Sequence, residues 1–323
     1  MEPPIYQIVA NDADITAKIQ DRFLSMTLHD AAGIESDSVT ITLDNRGNVI
    51  KPLSTGAKLV ISLGTGKALV PKGVYQVTEL EESLDNDDLV IHGTAAETKA
   101  VIKAPKDRTF DNVTYGELVS QIASENNLQP VISDELAKIQ FDHIDQKAES
   151  DLNLLTRLGR QYGAIAKPVA ERLLVTGKGE GKTASGQEMP LEVIADAHNS
   201  SGRIVTKERD SYQSVVAHWF DEPAQQKRQV KAGDGEPSLT LKQEYTSEDE
   251  ALKAATAELE ERQRGKKTFS LTRPLSPTLG AEYRIQVINH KPVANGLWVV
   301  ESADHTVERD RVSETRLELV TPK

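Results

Sequence analysis

Apolar and polar positions alternate with a period of two along residues 14–96. Leu24, Met26 and Leu28 interleave with Phe23, Ser25, Thr27 and His29, and Val39, Ile41 and Leu43 interleave with Thr40 and Thr42. Successive side chains of a strand point to opposite faces, so this pattern predicts half-buried strands. Further runs at 58–63, 74–80 and 89–92 are separated by Gly64-Thr65-Gly66 and by the acidic turn Asp85-Asn86-Asp87-Asp88. Roughly five or six short antiparallel strands at this spacing predict a small barrel or sandwich.

Near Pro105 the period changes. Thr114-Tyr115-Gly116-Glu117 spells a capping box, in which hydroxyl and carboxylate satisfy each other's backbone donors, and Val113 and Leu118 hold staple positions. Val119, Ile122 and Ala123 continue the apolar face, and Asn126-Asn127 ends the helix. A strand is predicted at 139–144. Ser150 then caps a second helix with a stripe of Leu152, Leu155, Leu158 and Tyr162, stopped by Gly163.

Residues 177–202 are rich in Gly, Ser and polar side chains and read as a linker or long hairpin. Strand pattern resumes at 214–220, residues 225–244 look polar and irregular, and 247–264 reads as a helix. Its cap is Ser247 with Glu250, its stop Gly265, and its narrow stripe Leu252, Ala255 and Leu259. Such a stripe fits a solvated helix on its own barrel as well as an arm reaching a neighbouring subunit. From 268 onward the strand pattern returns.

The two β regions repeat each other. Gly56-Ala57 opens KLVISL, Gly73 opens VYQVTELEE, and a polar turn leads to DLVIHGTA. Gly280-Ala281 opens EYRIQV, Gly296 opens LWVVESADH, and a charged turn leads to ETRLELVTP. Upstream, LSMTLHD is matched to VVAHWFD, with Asp30 against Asp221, and SVTITLD to KTFSLTR. The shift between these last two offsets places an insertion in the second copy. Identities are few, so chance similarity between hairpins is the alternative.

The expected fold is α+β, mainly β. It has a first small antiparallel β-barrel at 1–104, a small α/β domain at 105–176 and the linker or hairpin at 177–202. A second barrel at 203–323 carries an insertion at about 224–266 that contains helix 247–264.

Composition narrows the function. With 38 Lys plus Arg against 50 Asp plus Glu, the net charge of −12 argues against holding nucleic acid or an anionic membrane by charge. The chain has no cysteine, which excludes disulfides, thiolate catalysis and Cys-ligated metal sites. No run approaches the roughly 18 apolar residues of a membrane span. The N-terminal decapeptide lacks Lys and Arg, so no signal peptide is expected there and cytosolic synthesis is.

GKGEGKT after RLLVT invites a phosphate-binding reading. That loop needs a glycine five residues before Gly181, and Thr176 stands there. A flexible hairpin tip is expected instead. The seven histidines (29, 92, 143, 198, 218, 290 and 305) show no metal-ligand spacing. Asp142-His143-Ile144-Asp145 is the densest candidate, but neighbours on a strand face opposite ways. His218 reads as a core or interface residue. There is no nucleophile elbow, and no carboxylate pair is marked out for acid–base work. No catalytic, cofactor-binding or metal residue is assigned, and no enzyme activity is expected.

Four stretches then carry a resemblance: ITAKIQDRFLSMTLHDAAGIESDSVTITLDN, GVYQVTELEE, IQFDHIDQKAESDLNLLTRLGRQYGAIAKPVAERLLV and EDEALKAATAELEERQRGKKTFSLTRP. Together they resemble the phage late control protein D family, the baseplate hub proteins of contractile tails, tailocins included. The likeness spans nearly the whole chain and is weakest at 177–202 and 224–244.

The resemblance implies a homotrimeric ring of six similar barrels that adapts the sixfold tail tube to the threefold central spike and lines the channel. Implied partners are further copies of itself, the tube protein, the spike and the baseplate wedge proteins, with the tape measure as a further candidate. DNA would be passing cargo only, and no membrane insertion is implied. An acidic lumen would let such cargo slide, since Lys and Arg contacts are what hold phosphate. Assembly is expected in the bacterial cytoplasm, with release in the baseplate of a virion or tailocin. Two competing readings are a tail-associated cell-wall hydrolase and the hub portion of a secretion-system spike. The first needs a spare lytic segment and the second a long repetitive tail, and neither is expected here.

Overall fold

The alternation at the start of the chain becomes the paired strands Phe23–Ala31 and Ser38–Asp44, in register from Ser25 opposite Thr42 to His29 opposite Ser38. In this computed structural model, the residues described are 3–32, 37–95, 100–169, 172–181, 187–207, 212–264 and 266–322. Strands hold 54% and helices 19% of the described residues, so the fold is mainly β, as the patterning predicts.

The first half of the large sheet runs Phe23–Ala31, Ser38–Asp44, Asp88–Ala95, Ala68–Glu82, Lys58–Thr65, Pro4–Ala10. The second half runs Ser201–Thr206, Lys267–Pro274, Glu314–Val320, Gly296–Glu308, Arg284–Val287, Leu191–Ile194. The two orders correspond strand for strand. Only the last pair differs, being antiparallel in the first half and parallel in the second. Even the irregularities coincide. The ladder of the long strand slips between Val77 and Glu79 in one half and between Val300 and Ser302 in the other.

The sheet order bears on four expectations. The counterpart of Phe23–Ala31 is Ser201–Thr206, not the strand holding Asp221. Ser214–Asp221 lies in a separate three-stranded sheet with Gln226–Gly233 and Ser238–Tyr245, so the insertion spans 207–266 rather than 224–266. Residues 225–244 are not irregular. They are polar because only one face of that sheet is covered, by Val230, Ala232, Leu239 and Leu241 packing towards the helix. Of 177–202, expected as a linker or long hairpin, the described residues include the strand Leu191–Ile194 and the start of Ser201–Thr206, and residues 182–186 lie outside the described part.

A closed barrel was expected twice, and among the described residues neither half closes. The edge of Phe23–Ala31 that closure would need is occupied by Gly296–Glu308, which runs both halves into one sheet. Two residues of the second half enter the first core. Val307 and Leu275 sit in the cluster built on Ile8, Met26, Ile41, Leu59 and Leu89, while Trp298, Phe269, Ile285 and Leu317 centre the second.

The middle domain forms as the capping signals dictate. Thr114 accepts from Glu117 N, and the Glu117 carboxylate accepts from Thr114 N, starting helix Tyr115–Glu125. Ser150 Oγ accepts from Asn153 N to start Asp151–Tyr162, which Gly163 ends at φ +62°, a conformation glycine adopts without strain. Two small sheets flank the helices, and the strand expected at 139–144 runs Gln140–Ser150. Ile102, from the helix Ala100–Lys103, is buried in this core.

Candidate assembly site at the joint of the modules

Where Gly296–Glu308 leaves its own module it pairs with Phe23–Ala31, from Ser302 opposite Ala31 to Glu308 opposite Ser25. Polar side chains fasten the outer face of this joint. His29 Nδ1 lies 2.6 Å from Asp304 Oδ1, while Asp30, next along the strand and so on the other face, accepts from Ala281 N at 3.1 Å. On the inner face Val307 pairs with Met26 inside the first core.

A second strand reaches across. The ladder of Ala68–Glu82 slips between Gly73 and Pro71, which leaves Lys72 as a bulged residue. A bulge breaks the alternation and redirects a side chain. Lys72 Nζ donates to Leu279 O at 3.2 Å and lies 2.9 Å from His305 Nε2, while His305 Nδ1 lies 2.9 Å from Thr315 Oγ1. Burial, and then the Lys72 charge, push the His305 imidazole down to about 3. Burial pushes Lys72 down to about 8 against the opposing pull of Asp30 and Asp37.

The middle domain joins the same cluster. Lys167 Nζ donates to Asp37 Oδ1 at 2.5 Å and to Ala31 O at 2.9 Å. Burial and the Asp30 charge raise the Asp37 carboxyl, and Lys167 counters them. Groups from both modules and the middle domain thus share one half-buried knot of charge. Its arrangement fixes orientation, since burying unpaired charges would be costly.

Helix Glu248–Arg264 is the other fastening. Ala251, Ala254, Ala255 and Leu259 pack on the inserted sheet, whereas Leu252, expected in the stripe, is 43% exposed. Its cap is shifted by one residue. Ser247 Oγ accepts from Glu250 N, but the Glu250 carboxylate turns to Thr246 N and Oγ1. The expected stop, Gly265, lies outside the described residues. The opposite side meets the middle domain. Gln161 Nε2 donates to Glu250 Oε1 at 2.7 Å, Lys178 pairs with Glu261 at 2.8 Å, and Arg264 Nη1 donates to Lys178 O at 2.6 Å. The helix is therefore an internal bracket, a role neither sequence reading described. Between bracket and sheet lies a cleft of about 900 Å³ whose lining mixes Arg160, Lys178 and Arg264 with Glu258, Glu261 and Glu301. In an adjoining pocket burial pushes Glu282 up to about 7, although Gly179 N donates to it.

The rejected motifs fall in separate places. Gly177 ends strand Arg172–Gly177, and residues 182–186 lie outside the described part. His143 does meet carboxylates, Asp111 across the ladder at 2.5 Å and Asp145 two residues on at 3.2 Å. These are exposed, and among the described residues no group of three or more such side chains is arranged to hold a metal. His218 is half-buried on the inserted sheet. No described helix is long and apolar enough to cross a membrane. Sequence reasoning missed Lys72, Asp37, Lys167 and His305. The only local signal is Pro71-Lys72-Gly73 interrupting the alternation.

Comparison with known proteins gives a consistent result. The family model of the phage tail baseplate hub (GPD) matches residues 96–311. The probable baseplate hub protein of Escherichia phage 186 is 29% identical, covering 98% of this chain and 92% of that protein. Its counterpart in Escherichia phage P2 is also 29% identical, covering 83% and 80%. Among solved structures, the 43 kDa tail protein of prophage MuSo2 from Shewanella oneidensis superposes with a TM-score of 0.75 at 14% identity, covering 99% of this chain and 98% of that one.

Proposed function

Because the chain belongs to the phage tail baseplate hub (GPD) family, we propose that it assembles as a ring of three copies at the end of a tail tube. It is a structural component of the virion baseplate and not an enzyme. The observation that carries the ring reading is the repeated strand order, six strands matched one for one within a single sheet. Three chains with two like modules each present six near-equivalent units to a sixfold tube and keep true threefold symmetry for a spike. The middle domain and the inserted bracket, present once per chain, supply the threefold features.

In this reading the two tube modules comprise residues up to about 95 and from about 187 onward, the latter interrupted by the insertion. The middle domain comprises about 100–181. The partners are the tube protein, the spike and the surrounding wedges, with DNA or another cargo passing through the channel. Synthesis and assembly take place in the bacterial cytoplasm, and the particle is a virion or a tailocin. The net charge of −12 favours a lumen to which polyanions do not adhere.

Native mass measurement and negative-stain imaging of the purified protein test this. Trimers forming six-lobed rings are expected. A chain that stays monomeric at every concentration, or that clears peptidoglycan in a zymogram, would overturn the reading.

A further inference from the structure

The apolar cores sort into two pairs. One pair is built from residues 102–175 of the middle domain and 215–259 of the insertion, the other from the strands of the two tube modules, and no cluster mixes the pairs. Middle domain and insertion are bonded to each other through Gln161 and Glu250 and through Lys178 and Glu261. Towards the sheet they leave the cleft of about 900 Å³, with Arg160 and Ile165 on one wall and Ala32, Glu301 and Leu319 on the other. Close-packed interiors hold few voids larger than a water molecule, so this boundary is apposed and not packed.

Two kinds of bond cross it. Near the points where the chain passes between the sheet and the outer units, Gly179 N donates to Glu282 Oε2 at 3.1 Å, Met189 N to Gly181 O at 2.7 Å and Lys207 N to Lys266 O at 2.8 Å. Covalent continuity keeps these groups together whatever the units do. The other bond has no such support. The strand Ala164–Val169 turns Ala164 and Ala166 into the middle core, and alternation sends Ile165 and Lys167 the opposite way. Lys167 Nζ ends on Asp37 Oδ1 and Ala31 O, more than a hundred positions away in the first module.

We propose that the middle domain and the insertion form one arm that swings about these chain crossings, and that the Lys167 bond to Asp37 and Ala31 is the latch that holds it against the sheet. Domain boundaries made of polar contacts allow such rigid-body motion. The latch suits the task because its side chains stay within reach of water, at 16% and 24% exposure. On opening, the freed charges are resolvated and not stranded. The arm occurs once per chain. Its position therefore changes the outline that the hub offers to its neighbours and leaves the strand order of the modules untouched.

The cysteine-free chain allows a single thiol to report the motion. Ile165 is 7% exposed and lines the cleft, whereas Val175 is fully buried in the middle core. In Ile165→Cys, adding Lys167→Met should speed reaction with an aqueous thiol reagent about tenfold, the factor that loss of one charge-assisted bond gives. Asp37→Ala should do the same, and the two together should give little more than either alone. In Val175→Cys the same substitutions should leave the rate unchanged. Equal acceleration at both sites would mean that the middle domain unfolds locally and no arm swings. An unchanged rate at Ile165→Cys would show that Lys167 holds nothing shut. Full additivity of Lys167→Met and Asp37→Ala would show that the two residues do not form one latch. Each of these three results overturns the latched arm.

Discussion

Lys72 Nζ stands 2.9 Å from Nε2 of His305, 233 residues further along the chain, and the pair spans the line where the two modules meet. A cation beside an imidazole persists there because the ring stays neutral. With Nε2 accepting from Lys72, Nδ1–H is left to donate to Thr315 Oγ1, which itself accepts from Ser276 N. The contact thus ties a bulge of the first module to two strands and a turn of the second.

This arrangement makes the joint sensitive to pH in a specific way. His305 is held down at about 3 against an ordinary 6.5, so between those values only the unfolded chain binds that proton. Its contribution to stability is complete above 6.5 and is lost as pH falls towards 3. Glu282 acts oppositely. Raised from 4.5 to about 7, it contributes fully below 4.5 and loses that contribution as pH rises through 7. From 4.5 to 6.5 the two slopes oppose each other. His305→Asn removes the first, so its deficit relative to the parent should shrink by about 1.4 kcal/mol per pH unit on acidification across this window. Urea melts at both ends of the window check this, and a constant deficit would refute it.

Lys72→Met is expected to cost little, within about 1 kcal/mol, because it removes a desolvated charge and keeps the stem's volume. Without Lys72 the neutral ring can carry its proton on Nε2 and donate to Leu279 O at 3.0 Å, with the Thr315 hydroxyl donating to Nδ1. Since the Lys72 charge helps to depress His305, the imidazole should titrate at higher pH in this variant, still below 6.5 because burial is the larger cause. Ring-proton NMR reads the shift, and an unmoved titration would show that the contact is not electrostatically coupled.

Asp151 is fully buried yet paired throughout. Lys106 and Arg108 each donate to it at 2.7 Å, Gln146 at 2.9 Å and Asn126 at 3.0 Å. These bonds outweigh burial and hold its carboxyl below the usual range. Asp151→Ala leaves Lys106 and Arg108 with Glu125 as their remaining carboxylate and removes a buried acceptor of four hydrogen bonds, so it should destabilise the chain by about 1–3 kcal/mol in denaturant unfolding. A loss under 1 kcal/mol would mean that water replaces the carboxylate.

The helix that follows has two separable end effects. Ser150→Ala removes the N-cap acceptor and should cost about 1 kcal/mol. Gly163→Ala forces an L side chain to φ +62° and sets its Cβ about 3.5 Å from that of Ala257 on the bracket helix, for a further ~1 kcal/mol. The two sites lie at opposite ends of the helix, so thermal unfolding of the double variant should show additive losses. Strong non-additivity would show that the helix frays as a unit from either end.

What the sequence determined by itself is local. Period-two alternation places Met26, Leu28, Val39 and Ile41 on one buried face, and Thr114, Ser150 and Gly163 set helix ends because their partners lie within four residues. The repeat was legible from glycine-led strands, as Gly73 and Gly296 show. Its upstream match went to the apolar VVAHWFD instead of SGRIVT because Ser201–Thr206 is an exposed edge strand, and an exposed edge carries little apolar signal. What only the tertiary structure decided is which edges meet. The pairing of Ser302–Glu308 with Ser25–Ala31, the reach of Lys72 to His305 and the clasp of Lys167 on Asp37 join residues more than a hundred positions apart. Backbone donors and acceptors are the same in every strand, so composition cannot select a partner edge. The choice falls to the bulges, the shape of the cores and the burial of charge, which exist only once the chain has folded.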